Sequence, residues 1–196
     1  KAGHVAVPLF PVDVLMHLYM LCDALGEPAF QSESAFAPDA VLEEGLNCLK
    51  RLGELCAPEC LQRNPIQTAE HMTQTDESAY CPFAYGYSNY SRPTYGGRWL
   101  QAGGLVSFAG KPMRSTLGGA GLTVSASTEH LAHCVDYARF TAEPETQAGI
   151  YFEAGGQPGH RTAWTDERIN SVSSSFFRDT LETLDQAFVR PQYAGY

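Results

Sequence analysis

Apolar and polar positions along the chain predict a mainly helical protein with short extended runs between the helices. Val5-Ala-Val-Pro-Leu-Phe is an apolar run with the pattern of a buried strand, bounded by Pro11. Asp13 is placed to cap a helix over residues 14–25, where Leu15, Leu18, Cys22 and Leu25 recur at helical spacing before Gly26. A second helix fits residues 38–56, burying Leu42, Leu46, Leu49 and Leu52 or Leu55. Asn64-Pro65 pairs a capping side chain with proline at the first helical position and starts a third. Residues 78–84, 104–108 and 122–125 read as strands. Ser127 or Thr128 then caps a helix to Phe140 with Leu131, Cys134, Val135 and Ala138 inward, and Glu143-Pro144 begins another that stops at Gly155-Gly156. Residues 157–161 form a loop, and a last helix covers 170–188.

Composition narrows the class. Hydrophobic residues at 44% and charged residues at 18% exclude a disordered chain, and 196 residues can build a real core. No apolar run reaches the roughly 18 residues of a membrane span. The formal charge of −9, with three lysines and ten scattered arginines, argues against binding nucleic acid. The six cysteines sit mostly among apolar neighbours and read chiefly as core thiols, with a Cys56–Cys60 or other disulfide as an alternative. Zinc lacks further ligands at finger-like spacing, so no metal site and no cofactor is expected.

Enzyme signatures largely fail. There is no Gly-x-Ser-x-Gly elbow, and no histidine pair has the i, i+4 spacing of a metalloprotease. Gly118-Gly119-Ala120-Gly121 lacks the lysine of a phosphate loop. A glycosidase pair of distant carboxylates stays open, although nothing nominates its members. The positive signal lies at residues 80–95, where five of ten tyrosines interleave with glycine and asparagine. Such a segment is either an edge strand and turn or a cleft wall whose flat rings and polar tips suit a sugar.

Three blocks carry a resemblance. Residues 76–90 (Asp-Glu-Ser-Ala-Tyr-Cys-Pro-Phe-Ala-Tyr-Gly-Tyr-Ser-Asn-Tyr), 115–122 (Ser-Thr-Leu-Gly-Gly-Ala-Gly-Leu) and 155–161 (Gly-Gly-Gln-Pro-Gly-His-Arg) resemble, in order and spacing, segments of the family 1 extracellular solute-binding proteins. These are the binding components of carbohydrate importers of the ATP-binding-cassette type. The resemblance implies an α/β, periplasmic-binding-protein-like (type II) lobe: a mixed sheet flanked by helices, in a chain that is a fragment or processed form with the first lobe largely outside it. Residues 1–106 would be the second-lobe core, 107–150 a segment returning to the first lobe, and 151–196 the second lobe's C-terminal helices. An export leader would lie upstream, and the compartment would be periplasmic or extracellular.

The implied activity is binding without catalysis, with a carbohydrate or polyol held between lobes by ring stacking and hydroxyl hydrogen bonds. Its partners are that small molecule, the absent lobe and the membrane permease of the importer. A carbohydrate-active hydrolase is the alternative. The resemblance places Tyr85 and Tyr87 at aromatic ligand positions and Asp13 at a cleft-facing carboxylate, whose other reading is the helix cap. Asn89, Gln157, His160 and Arg161 are further polar contacts. Trp164 is a second stacking face or a residue of lobe packing. Gly118, Gly119, Gly155, Gly156 and Pro158 shape the backbone at the hinge.

Overall fold

The computed structural model describes residues 4–30, 35–108 and 110–190. Residues 1–3 and 191–196, at the ends of the two expected second-lobe pieces, lie outside that set. The centre is α1 (Pro11–Ala24), buried on nearly every side. It begins earlier than the apolar spacing indicates, because Pro11 occupies the first helical position and Phe10 the cap. Asp13 is therefore a first-turn residue and not the cap. The helix ends in a Schellman motif: Gly26 adopts φ +95°, its N–H donates to the Asp23 carbonyl, and the Glu27 N–H donates to that of Cys22.

Helix α2 (Asp39–Leu55) packs along α1. Gly45 allows the close approach, since a Cβ there would lie 3.0 Å from a Leu18 methyl. The inward stripe is Leu42, Gly45, Leu49 and Leu52; Leu46 and Leu55 are exposed, because the glycine takes the place nearest α1. A 3-10 turn (Pro58–Gln62) leads to α3 (Pro65–Gln74), which opens with a full capping box between Asn64 and Gln67.

The expected sheet is much reduced. Strands β1 (Ser107–Phe108) and β2 (Lys111–Pro112) form an antiparallel pair, and single parallel bridges join Val5 to Tyr80 and Thr116 to Phe188. The buried run after Val5 cannot extend its ladder, since Pro8 and Pro82 have no N–H and Leu9 donates to the Cys60 carbonyl instead. Residues 122–125 form no strand and are mostly exposed.

The C-terminal half is helical. Helix α4 (Leu131–Ala142) has no buried residue, and Leu131, expected inward, is 59% exposed. Helix α5 (Pro144–Thr146) runs into a π-type turn (Gln147–Tyr151) kinked at Gly149. Helices α6 (Arg161–Trp164), α7 (Glu167–Val172) and α8 (Phe176–Asp185) follow. The single last helix of the sequence reading is broken between α7 and α8, where Ser174 and Ser175 adopt left-handed φ of 49° and 60°. Asn170 stitches the break: its amide donates to the Trp164 carbonyl at 2.9 Å, and its Oδ1 accepts the Arg178 N–H at 2.9 Å. A second core of Phe152, Ala163, Trp164, Ile169, Phe176 and Phe177 forms here, distinct from the one around α1.

Candidate functional site

Two segments far apart in sequence converge on one face of α1. Asp13, Met16, His17 and Met20 stand at i, i+3, i+4 and i+7, a single helical stripe. Met16, His17 and Met20 face Phe83, Ala84 and Tyr85 and the Ser115-Thr116 pair around an internal space of about 20 Å³. The Tyr85 and Thr116 hydroxyls are 2.5 Å apart, and Thr116 Oγ1 points on to the Met16 sulfur at 3.7 Å. Gly118 passes against the Tyr85 ring, where a Cβ would meet Cε1 at 3.0 Å. The Tyr85 ring is thereby fixed in place, half-buried.

Asp13 lies at the N-terminal end of this stripe and is only 5% exposed. Its Oδ2 is buried without a hydrogen-bond partner, and burial raises its carboxyl above the usual carboxylate range. A buried, unpartnered acceptor is costly and needs an explanation. Two residues beyond Tyr85, Tyr87 is 44% exposed. Asn89 follows in a 3-10 turn (Ser88–Ser91), with its Oδ1 also buried and unpartnered. Tyr85 faces the α1 stripe on which Asp13 stands one turn earlier, and Tyr87 and Asn89 follow Tyr85 along the chain.

The 155–161 loop supports that segment from behind. Gln157 Oε1 accepts the Ser88 N–H at 2.8 Å and its Nε2 donates to the Gly86 carbonyl at 3.4 Å, so both ends of the amide clamp the tyrosine loop's backbone. Arg92, which nothing in the sequence marks, donates to the Phe152 and Gly156 carbonyls at 2.8 and 3.1 Å and lies 3.9 Å above the Phe152 ring. Gly155 takes φ +98°, and a Cβ at Gly156 would collide with the Tyr151 ring. Pro158 is fully buried and its carbonyl accepts the Trp164 indole N–H at 2.8 Å.

Besides Gln157, which holds the tyrosine loop, the polar contacts His160 and Arg161 have partners within the chain, and Trp164 takes the packing role of its two readings. Trp164, 6% exposed, is a core residue against Phe176 and Phe177, so it offers no free face. His160 caps α6, its Nδ1 lying 2.9 Å from the Thr162 hydroxyl. Arg161 forms a two-pronged ion pair with Asp185. Gly119 has open space about it, as a surface turn would.

A separate apolar surface spans residues 122–150. An open trough of about 410 Å³ runs between residues 122–128 and α4, lined by Leu122, Val124, Cys134 and Tyr137 among others. Leu122, Tyr137, Phe140 and Ile150 are all exposed.

No protein-family model matches the chain, and no curated protein matches it in sequence. Among solved structures, maltose-bound T. maritima MalE3 superposes with a TM-score of 0.72 at 17% sequence identity, over 98% of this chain and 51% of that one. The chain has the fold of about half of that protein and spans about half its length.

Proposed function

We propose that this chain is one lobe of a two-lobe, non-enzymatic binding protein that captures a carbohydrate or related polyol in an extracytoplasmic compartment and delivers it to an importer of the ATP-binding-cassette type. The observation that carries this reading is a buried Asp13 whose Oδ2 has no hydrogen-bond partner, on a fold shared with a maltose-bound protein; Tyr85, anchored through Thr116, faces the same helix one turn further on. A sugar presents an apolar face to a ring and hydroxyl donors to a carboxylate, so the two groups meet its two chemistries. Tyr87 and Asn89 extend the same wall. The exposed apolar surface of residues 122–150 supports a second wall lying outside residues 1–196, because large apolar patches mark interaction surfaces. Gly118, Gly119, Gly155, Gly156 and Pro158 shape the backbone around this wall, Gln157 and Arg92 holding it in register.

Calorimetric titration of the complete gene product with maltose, other di- and monosaccharides and polyols tests this. Saturable binding of at least one of them is expected, weakened about tenfold in Tyr85→Ala, the loss of about 1.4 kcal/mol. Asp13→Asn weakens the same ligand by about tenfold or more while stabilising the empty protein. The sign follows from burial: the folded carboxyl resists ionisation, so any stability it contributes at low pH is lost as the pH rises through its raised folded value. Removing that buried charge raises stability at neutral pH, read as a higher urea midpoint. Silence from every sugar and polyol contradicts the reading.

A further inference from the structure

The Tyr85 ring is held at its far end. Thr116, 2% exposed, has a single hydroxyl hydrogen and donates it to the Met16 sulfur at 3.7 Å. Its Oγ1 therefore accepts from the Tyr85 hydroxyl 2.5 Å away, and the phenol's own hydrogen is spent inside the protein. Thr116 cannot easily follow a moving ring, because the main chain on either side of it is bonded to Phe188. The Leu117 N–H donates to the Phe188 carbonyl at 2.7 Å, and the Phe188 N–H donates to that of Ser115 at 2.9 Å. Gly118 closes on the ring's edge, where a Cβ would stand 3.0 Å from Cε1 and 3.3 Å from Cδ1. Resting on the ligand reading above, we propose that Thr116 and Gly118 are positioning residues that fix the pose of Tyr85, so that a ligand meets this tyrosine through its ring face and not through its hydroxyl.

Two side-chain torsions orient a tyrosine ring, and tying down the hydroxyl removes most of their freedom. Freedom already given up in the empty protein is not lost again on binding, so the tether favours affinity without Thr116 touching the ligand. What the tethered ring presents is its flat face, suited to the C–H side of a sugar ring. The two modes of contact separate by additivity. If the phenol bonded the ligand, Tyr85→Phe would lose a bond that Thr116→Val leaves intact, and the two losses would multiply. With the hydroxyl committed to Thr116, either variant breaks the same tether, and the double variant loses nothing more.

Calorimetric titration of the complete gene product with maltose and the other saccharides and polyols of the panel above tests this. Tyr85→Phe, Thr116→Val and the double variant should each bind about fivefold more weakly than wild type, the worth of one neutral hydrogen bond. Thr116→Ser keeps the hydroxyl and should restore binding to within about twofold of wild type. Gly118→Ala leaves the hydroxyl pair in place at an exposed turn, and should weaken binding by a similar factor as its methyl pushes the ring off its pose. Wild-type affinity in Thr116→Val or in Gly118→Ala overturns the proposal. So does a Thr116→Ser variant as weak as Thr116→Val, or a double variant about 25-fold weaker, the product of two independent losses. If Thr116→Val does not fold, Gly118→Ala decides alone. Binding by wild type that ignores these variants defeats this inference and leaves the ligand reading standing, whereas no binding by wild type defeats both.

Discussion

Phe177→Ala is expected to lower the unfolding free energy by about 3–5 kcal/mol, the usual cost of emptying a buried phenylalanine site. Phe177 is fully buried, with ring contacts to Trp164 at 5.2 Å, Phe176 at 5.2 Å and Phe152 at 6.0 Å between centroids. These aromatics make up most of the second core, so little can move in to fill the void. The damage reaches the candidate site, because Phe176 lies against Gly86, where a Cβ would meet its Cζ at 3.0 Å. Urea unfolding followed by tryptophan fluorescence reads the loss: Trp164 is buried beside the void, whereas Trp99 is already exposed. A change below 1 kcal/mol would mean that this core does not hold the C-terminal half together.

Acidification should cost about 3 kcal/mol through His17 alone. The ring is buried behind Tyr85, edge-on to Phe83 at 4.7 Å, and its Nδ1 has no partner. Burial lowers its value from 6.5 to about 4. Above pH 6.5 the ring is neutral in both folded and unfolded chains, and its contribution is fully present. As pH falls from 6.5 towards 4, the unfolded chain takes up a proton that the folded chain refuses, and stability drains away at about 1.4 kcal/mol per pH unit. Asp13 works in the opposite sense, its raised carboxyl gaining stability as it takes a proton at low pH. His17→Phe in an Asp13→Asn background therefore isolates the effect. Compared with Asp13→Asn alone, the double variant should lose about 3 kcal/mol less between pH 7 and pH 4, measured by urea unfolding at both. Equal losses would place His17 in contact with water.

Sequence patterning made the first half of the fold legible where the signal is local. The Asn64-Pro65 start, the Gly26 stop and the helical stripes of α1 and α2 rest on residues within one turn of each other. Features that depend on distant partners were not legible. Leu131 reads as part of an inner helical face with Cys134, Val135 and Ala138, yet it is exposed, because periodicity records that a face is apolar and not what covers it. The break at Ser173–Ser175 is invisible to spacing, since Asn170 creates it by bonding to Trp164 and Arg178. At the site, Tyr85, Tyr87 and Asp13 were nominated from the sequence. The clamping roles of Gln157 and Arg92 depend on carbonyls 60 or more residues away. Arg161 looks like a ligand residue in a loop until its partner Asp185 is seen, and of the two readings open for Trp164 its contact with Phe177 selects packing.

The central claim is that a sugar rests on the wall built from Asp13, Tyr85 and Tyr87. Its most direct test is amide chemical-shift mapping of the isotope-labelled complete gene product during titration with the tightest-binding sugar of the panel. Shifts should saturate together and concentrate at residues 13–17, 85–89 and 115–118. Saturable shifts that leave these three segments still and gather elsewhere would contradict the account.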